Sequence, residues 1–137
     1  MISIIYGKKG SGKTKQIIAA ANLSLDTAKG DVVYITDTTE YTHEINVKIR
    51  YVACDEVEIG NEECFLSFIR GMISSNYDIE KFFVDGIARI IHLELSQMEN
   101  LFKQLEKISN EFGCNFVFTI SACLECMPEF LKKYIQE

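Results

Sequence analysis

The run Gly7-Lys8-Lys9-Gly10-Ser11-Gly12-Lys13-Thr14 satisfies G-x-x-x-x-G-K-[ST] at every fixed position. Residues of these types at this spacing suit one task, the holding of a polyphosphate. Gly7, Gly10 and Gly12 are expected to let the main chain take positive φ and approach oxygen atoms with no Cβ in the way. Their successive N–H groups then form a concave nest for anions. The helix that follows adds unpaired N–H donors and the positive end of its dipole. Lys13 is expected to reach the β- and γ-phosphates, and the Thr14 hydroxyl to be a ligand of Mg²⁺. Lys8 and Lys9 fill variable positions of the loop, where solvated charge is the simpler expectation. Ser11 offers a hydroxyl contact or merely small size.

Phe82-Phe83-Val84-Asp85 is an apolar run that ends in a carboxylate. Beside a phosphate loop this is the Walker B pattern, in which Asp85 holds Mg²⁺ directly or through water. Hydrolysis also needs a group that orients or deprotonates water at the γ-phosphate. Many such enzymes place Glu directly after the Walker B Asp, but here that position is Gly86. Glu40 is therefore the candidate base and Asp37 the next, both just past the apolar run that ends at Ile35. Solvated loop acids are the bland alternative for both. Asp55, Glu56 and Glu58 are expected to be surface charge. Ser121 stands where a γ-phosphate sensor would sit, with Thr119 the other polar candidate; a local backbone hydrogen bond is the simpler role for either hydroxyl.

These residues need a frame that brings them together. Ile2 to Tyr6 predicts a strand running into the loop, and Lys13 to about Ala28 a helix leaving it, with Gly30 as its C-cap. Strands are predicted over Asp31–Thr36, Lys48–Ala53, Lys81–Val84 and Asn115–Ile120. The polar stretch Thr38–Asn46 reads as a loop. Asn61 is a plausible N-cap for a helix over Glu62–Ser75, with Phe65, Phe68, Ile69 and Met72 at helical spacing. Ser96–Phe112 is amphipathic, with Leu101, Leu105, Ile108 and Phe112 inward and Gly113 stopping it. Pro128–Ile135 is the last predicted helix. Strand and helix alternate, so the expected fold is α/β, a three-layer αβα sandwich around a mostly parallel sheet of about five strands. In such sheets ligands bind at the carboxyl ends of the strands.

With 137 residues, the chain is expected to form one domain. Its composition, 47% hydrophobic and 25% charged, is that of a globular protein. No apolar run is long enough for a membrane span and no basic region precedes the first strand, so a cytoplasmic protein without a signal peptide is expected. The net charge of −6, with no basic stripe, argues against nucleic acid as the main partner. The five cysteines are odd in number. Cys54, Cys64, Cys114 and Cys123 lie in or beside apolar segments and are expected to be reduced, buried thiols. Cys123-Leu124-Glu125-Cys126 is a C-x-x-C without a second pair, and His43 and His92 are distant in sequence, so structural thiols are expected here rather than a metal or redox site.

The order of these parts resembles the core of RecA-like P-loop ATPases. The phosphate loop comes first, then Asp31-Val32-Val33-Tyr34-Ile35-Thr36-Asp37-Thr38-Thr39-Glu40, then Phe82-Phe83-Val84-Asp85, then Phe116-Val117-Phe118-Thr119-Ile120. The resemblance implies Glu40 as the catalytic acid by position. It covers most of the chain, and the phosphate loop is its specific part. The chain also looks like a group of short bacterial P-loop proteins sometimes labelled twitching-motility ATPases. The chain is therefore expected to bind Mg²⁺ and ATP, and to hydrolyse ATP slowly or serve as an ATP-dependent switch. An arginine finger would come from Arg70 or Arg89 of a neighbouring copy, or from a partner protein. No N-K-x-D guanine motif is present, which favours ATP. Two alternatives stay open: a non-enzymatic nucleotide-binding adaptor or regulator, and a nucleoside-type kinase, since Ile4 through Thr14 is similar to the start of thymidine kinases.

Overall fold

In a computed structural model, which describes residues 1–135, the strands are β1 (Ile2–Gly7), β2 (Asp31–Thr36), β3 (Arg50–Ala53), β4 (Ile79–Val84) and β5 (Asn115–Ser121). The helices are α1 (Lys13–Ser24), α2 (Glu62–Ser75), α3 (Ile87–Ile91), α4 (Glu99–Phe112) and α5 (Glu129–Lys132). All strand pairs are parallel, in the order β1-β5-β4-β2-β3. The predicted α/β class and parallel sheet are thus present, with helices on both faces. Among the described residues no helix is long and apolar enough to cross a membrane.

Alternation along the strands assigns the faces. Val32, Tyr34 and Phe83 point to one side and pack with Ile17, Ile18 and Ala21 of α1. Their neighbours Val33, Ile35, Phe82 and Val84 point to the other and meet Phe65 and Ile69 of α2, Ile87 and Ile90 of α3, and Leu101, Leu105 and Ile108 of α4. Every central strand is therefore apolar on both sides, as a parallel sheet requires. The rings of Phe82 and Phe116 stack across β4 and β5 with centroids 4.9 Å apart. The crossover from β1 to β2 uses one face and the return from β3 toward β5 uses the other, which keeps the connections of one hand.

Several element ends differ from expectation. Helix α1 stops at Ser24, with turns after it, and Leu25 rather than Gly30 is its C-cap. Gly30 instead passes so close to the Asp78 carbonyl that any Cβ would collide with it. Its N–H donates to Glu80 Oε1 at 3.1 Å. Strand β4 begins at Ile79, before the predicted Lys81, and β3 begins at Arg50, after the predicted Lys48. Helix α3 is an unpredicted element. Helix α4 starts at Glu99, after a 3-10 turn over Leu95–Gln97. Phe112, expected inward, is 38% exposed, and Phe102 fills the core instead. The last helix is a single turn, after which Ile135 bridges to Ile4 at the edge of β1. The Asn61 cap forms as predicted, its side chain accepting from Cys64 N at 2.8 Å. Buried thiols are found only at Cys54 and Cys114; Cys64 and Cys126 are exposed and Cys123 is half-buried.

Because β5 lies between β1 and β4, and β2 lies beyond β4, the residues that follow β1, β5, β4 and β2 emerge side by side. Asp37, Asp85 and Ser121 are there, next to the Gly7–Thr14 loop.

Candidate functional site

The loop between β1 and α1 has the backbone its glycines imply. Gly10 (φ 84°) and Gly12 (φ 92°) both occupy the left-handed region, where a side chain is strained. Gly7 does not share this conformation. It is needed for closeness instead, because a Cβ there would meet Ser11 Oγ. The loop closes on itself through Ser11 N donating to Lys8 O at 3.0 Å. Helix α1 begins with no side-chain cap and no acidic residue in its first turn, so its leading N–H groups are left for an anion.

Lys13 is only 8% exposed, and its Nζ donates to Lys8 O at 2.9 Å. Burial lowers its pKa from the ordinary lysine value, an effect that Asp85 opposes and Arg89 adds to. A buried ammonium with one carbonyl partner has donors to spare for a phosphate.

Asp85 is the best-held carboxylate of the site. It is 2% exposed. Its Oδ1 accepts from Thr119 Oγ1 at 2.6 Å, and its Oδ2 accepts from Thr14 Oγ1 at 2.9 Å. Tyr34 OH adds a long contact to Oδ2 at 3.5 Å. Burial, and next the Asp85 charge, push the Tyr34 phenol well above its ordinary range, so it stays a donor. Thr119 Oγ1 in turn accepts from Gly86 N at 2.8 Å. Thr119 is thus buried and engaged with Asp85, away from a sensing role. Ser121 is exposed and lines the cavity.

Gly86 starts α3 with φ 83°. A residue with a side chain directly after Asp85 would be held at positive φ and would have to displace the Arg89 guanidinium, which lies over it. One turn on, Arg89 Nε donates to Asp37 Oδ2 at 3.1 Å and Nη2 to Oδ1 at 3.5 Å. Burial raises the Asp37 pKa, but the Arg89 hydrogen bonds and charge outweigh it and hold the carboxyl below its ordinary range. Asp37 is therefore engaged. Glu40 is exposed, and among the described residues its carboxylate has no hydrogen-bond or ion-pair partner.

These groups share one cavity of about 570 Å³, lined by Lys9, Gly10, Gly12, Lys13, Thr14, Asp37, Glu40, Tyr41, Asp85, Arg89 and Ser121 among others. A second cavity, about 630 Å³, opens at the amino ends of the strands beside Met1, Lys81 and Asn115 and contains none of them. Of the predicted site residues, Gly7, Lys8 and Ser11 do not line the first of these cavities. Arg89, expected to reach into a neighbouring copy, lies in its own cavity. Arg70, the alternative finger, lies on α2 outside it. Two members were missed by sequence reasoning: the internal Arg89–Asp37 pair, which no local spacing marks, and Tyr41, which sits in a stretch read only as polar loop.

The donor set fits a hard cation. Thr14 Oγ1 and Asp85 Oδ2 are adjacent oxygen atoms beside the only buried lysine of the cavity, and Mg²⁺ takes oxygen ligands, one or two of them from protein, with phosphate and water for the rest. The arrangement can bind a polyanion together with a divalent cation and can present a free carboxylate from a loop. No family model matches the chain, and no curated protein matches it in sequence.

Proposed function

We propose that this chain is a minimal RecA-like P-loop protein that binds Mg²⁺ and ATP, and that it hydrolyses ATP slowly or uses it as a switch. The observation that carries this reading is the meeting of Lys13, Thr14 and Asp85 in one cavity at the carboxyl ends of β1 and β4, with Thr14 Oγ1 2.9 Å from Asp85 Oδ2.

The loop amides and Lys13 hold the β- and γ-phosphates. Thr14 and Asp85 would hold the metal, which would neutralise charge on the phosphate oxygens. Thr119 and Tyr34 fix the Asp85 carboxylate through its two oxygens, so it does not have to reorganise when the cation arrives. Glu40 is the group free to orient water and take its proton. Arg89 supplies a cation from within the chain, anchored by Asp37. Slow turnover is the expected consequence, since the residue after Asp85 is Gly86 rather than an acid and the remaining candidate stands on an exposed loop.

The Arg89–Asp37 pair also favours a second reading, a non-enzymatic nucleotide-dependent adaptor or regulator, because it engages the acid best placed by the sheet. One experiment separates the readings. Excess protein is mixed with labelled ATP with and without Mg²⁺, and bound ATP and released ADP are followed in a single turnover. Magnesium-dependent retention with slow ADP formation is expected. Retention without ADP favours the adaptor, transfer of label to an added nucleoside favours a kinase, and no retention sinks the proposal.

A further inference from the structure

The strand that separates the phosphate loop from Asp85 continues into a turn that the nucleotide reading leaves unused. Ala122 N donates to Gly7 O at 3.1 Å, so the chain beyond β5 is tied to the start of the phosphate loop. The next residues form a tight turn, in which Cys126 N donates to Cys123 O at 3.2 Å. A turn of this kind brings its first and fourth Cα atoms within about 7 Å, inside the range that a disulfide spans. Here the first and fourth residues are both cysteines, and their Sγ atoms are 2.6 Å apart. Both are free thiols, Cys126 exposed and Cys123 half-buried.

We propose that Cys123 and Cys126 form a redox-reactive dithiol that closes into an intramolecular disulfide by exchange with a small-molecule disulfide. The pair is accessible and pre-aligned, so closure needs no movement of the sheet. The other cysteines provide the contrast. Burial pushes the Cys54 thiol up to about 12 and also raises Cys114. Cys64 is exposed but stands on α2 without a second thiol. The Cys126 thiol is pushed up mainly by its hydrogen bond with Cys123, and the positive charge of Lys8 pulls the other way. Among the described residues no cluster of three or more His, Cys, Asp or Glu could hold a metal. The proposed chemistry uses the pair alone.

The exchange balances as follows. One cysteine thiolate attacks a sulfur of R–S–S–R, a protein–S–S–R bond forms, and R–S⁻ leaves. The second cysteine gives its proton to solvent and attacks the protein sulfur of that mixed disulfide. The Cys123–Cys126 bond forms and the second R–S⁻ leaves. Two protein thiols are oxidised, the small disulfide is reduced to two thiols, and the leaving thiolates take up the protons.

The test uses the folded full chain in mixtures of reduced and oxidised glutathione, followed by alkylation and mass spectrometry. The peptide bearing Cys123 and Cys126 is expected to lose two hydrogens and to escape alkylation, reversibly with dithiothreitol. Cys64 should remain a free, alkylatable thiol at the same glutathione ratio. Cys123→Ser and Cys126→Ser should each stop at glutathione attached to the remaining cysteine. The wild-type measurement stands on its own if a variant does not fold. Both thiols alkylated at the most oxidising ratio, glutathione persisting on the wild-type pair, or oxidation no more extensive than at Cys64 would each overturn the proposal. None of these readouts depends on nucleotide binding, so this inference and the nucleotide reading fail separately.

Discussion

Thr14 Oγ1, at the first turn of α1, donates to Asp85 Oδ2, past the end of β4, at 2.9 Å across a separation of 71 residues. One residue follows the Gly7–Gly12 turn and the other follows an apolar strand, and β5 separates β1 from β4 in the sheet. The contact exists because parallel strands deliver both to the same end of the sheet. It brings together the two oxygen atoms that the proposed cation site would use.

Thr119 should prove to be a positioning residue for Asp85. Thr119→Val keeps the shape but removes the acceptor for Gly86 N and the donor to Asp85 Oδ1. Leaving buried polar groups unpaired costs about 1–3 kcal/mol each, so chemical denaturation should show a loss of that order. The magnesium concentration for half-maximal ATP binding should also rise. Lower stability with an unchanged magnesium requirement would reduce Thr119 to a purely structural role.

Glu40→Gln and Asp37→Asn should behave differently. The first is expected to lower single-turnover hydrolysis by about 10²-fold or more while leaving ATP affinity nearly unchanged. The second should release Arg89 from its anchor. Equal hydrolysis by the Glu40→Gln protein and the parent would remove Glu40 from the mechanism.

The Arg89–Asp37 pair predicts an acid dependence. Asp37 is held below its ordinary pKa of 3.8, so the pair stabilises the fold above that pH and the contribution is lost as pH falls through the depressed value. The two side chains are 53% and 31% exposed, so screening keeps the effect of Arg89→Ala to at most about 1 kcal/mol at neutral pH. The stability difference between wild type and Arg89→Ala, measured by urea titration, should shrink toward zero in strong acid. A difference that grows on acidification contradicts the assignment.

Gly86→Ala should destabilise by about 1–3 kcal/mol, since a non-glycine residue would be held at positive φ under Arg89. Thermal unfolding would check this. A neutral substitution would mean that the turn after Asp85 is freer than its geometry indicates.

Much of this was legible in the chain itself. The Gly7–Thr14 loop carries its own spacing, and the doubly apolar runs Val32–Ile35 and Phe82–Val84 mark covered parallel strands. Asp85 follows from its place after such a run. Helix α3 was not legible, because five residues are too few to show a period. The overrun of α1 came from treating Gly30 as a cap, when the position is small to let Asp78 pass. The pairing of Arg89 with Asp37 lies 52 residues apart, and only the sheet order brings the two together. The closeness of Cys123 and Cys126 depends on the turn that follows β5, which a spacing of this kind permits without requiring.

The central claim is that the Gly7–Thr14 loop grips a triphosphate through its amides and Lys13. Titration calorimetry of the folded chain with ATP and excess Mg²⁺ measures this directly. The account predicts saturable heat near one equivalent for the wild type, and a loss of affinity for Lys13→Ala of about 10-fold or more, given the worth of a charge-assisted hydrogen bond. No heat of association with the wild type, or equal binding by Lys13→Ala, would contradict it.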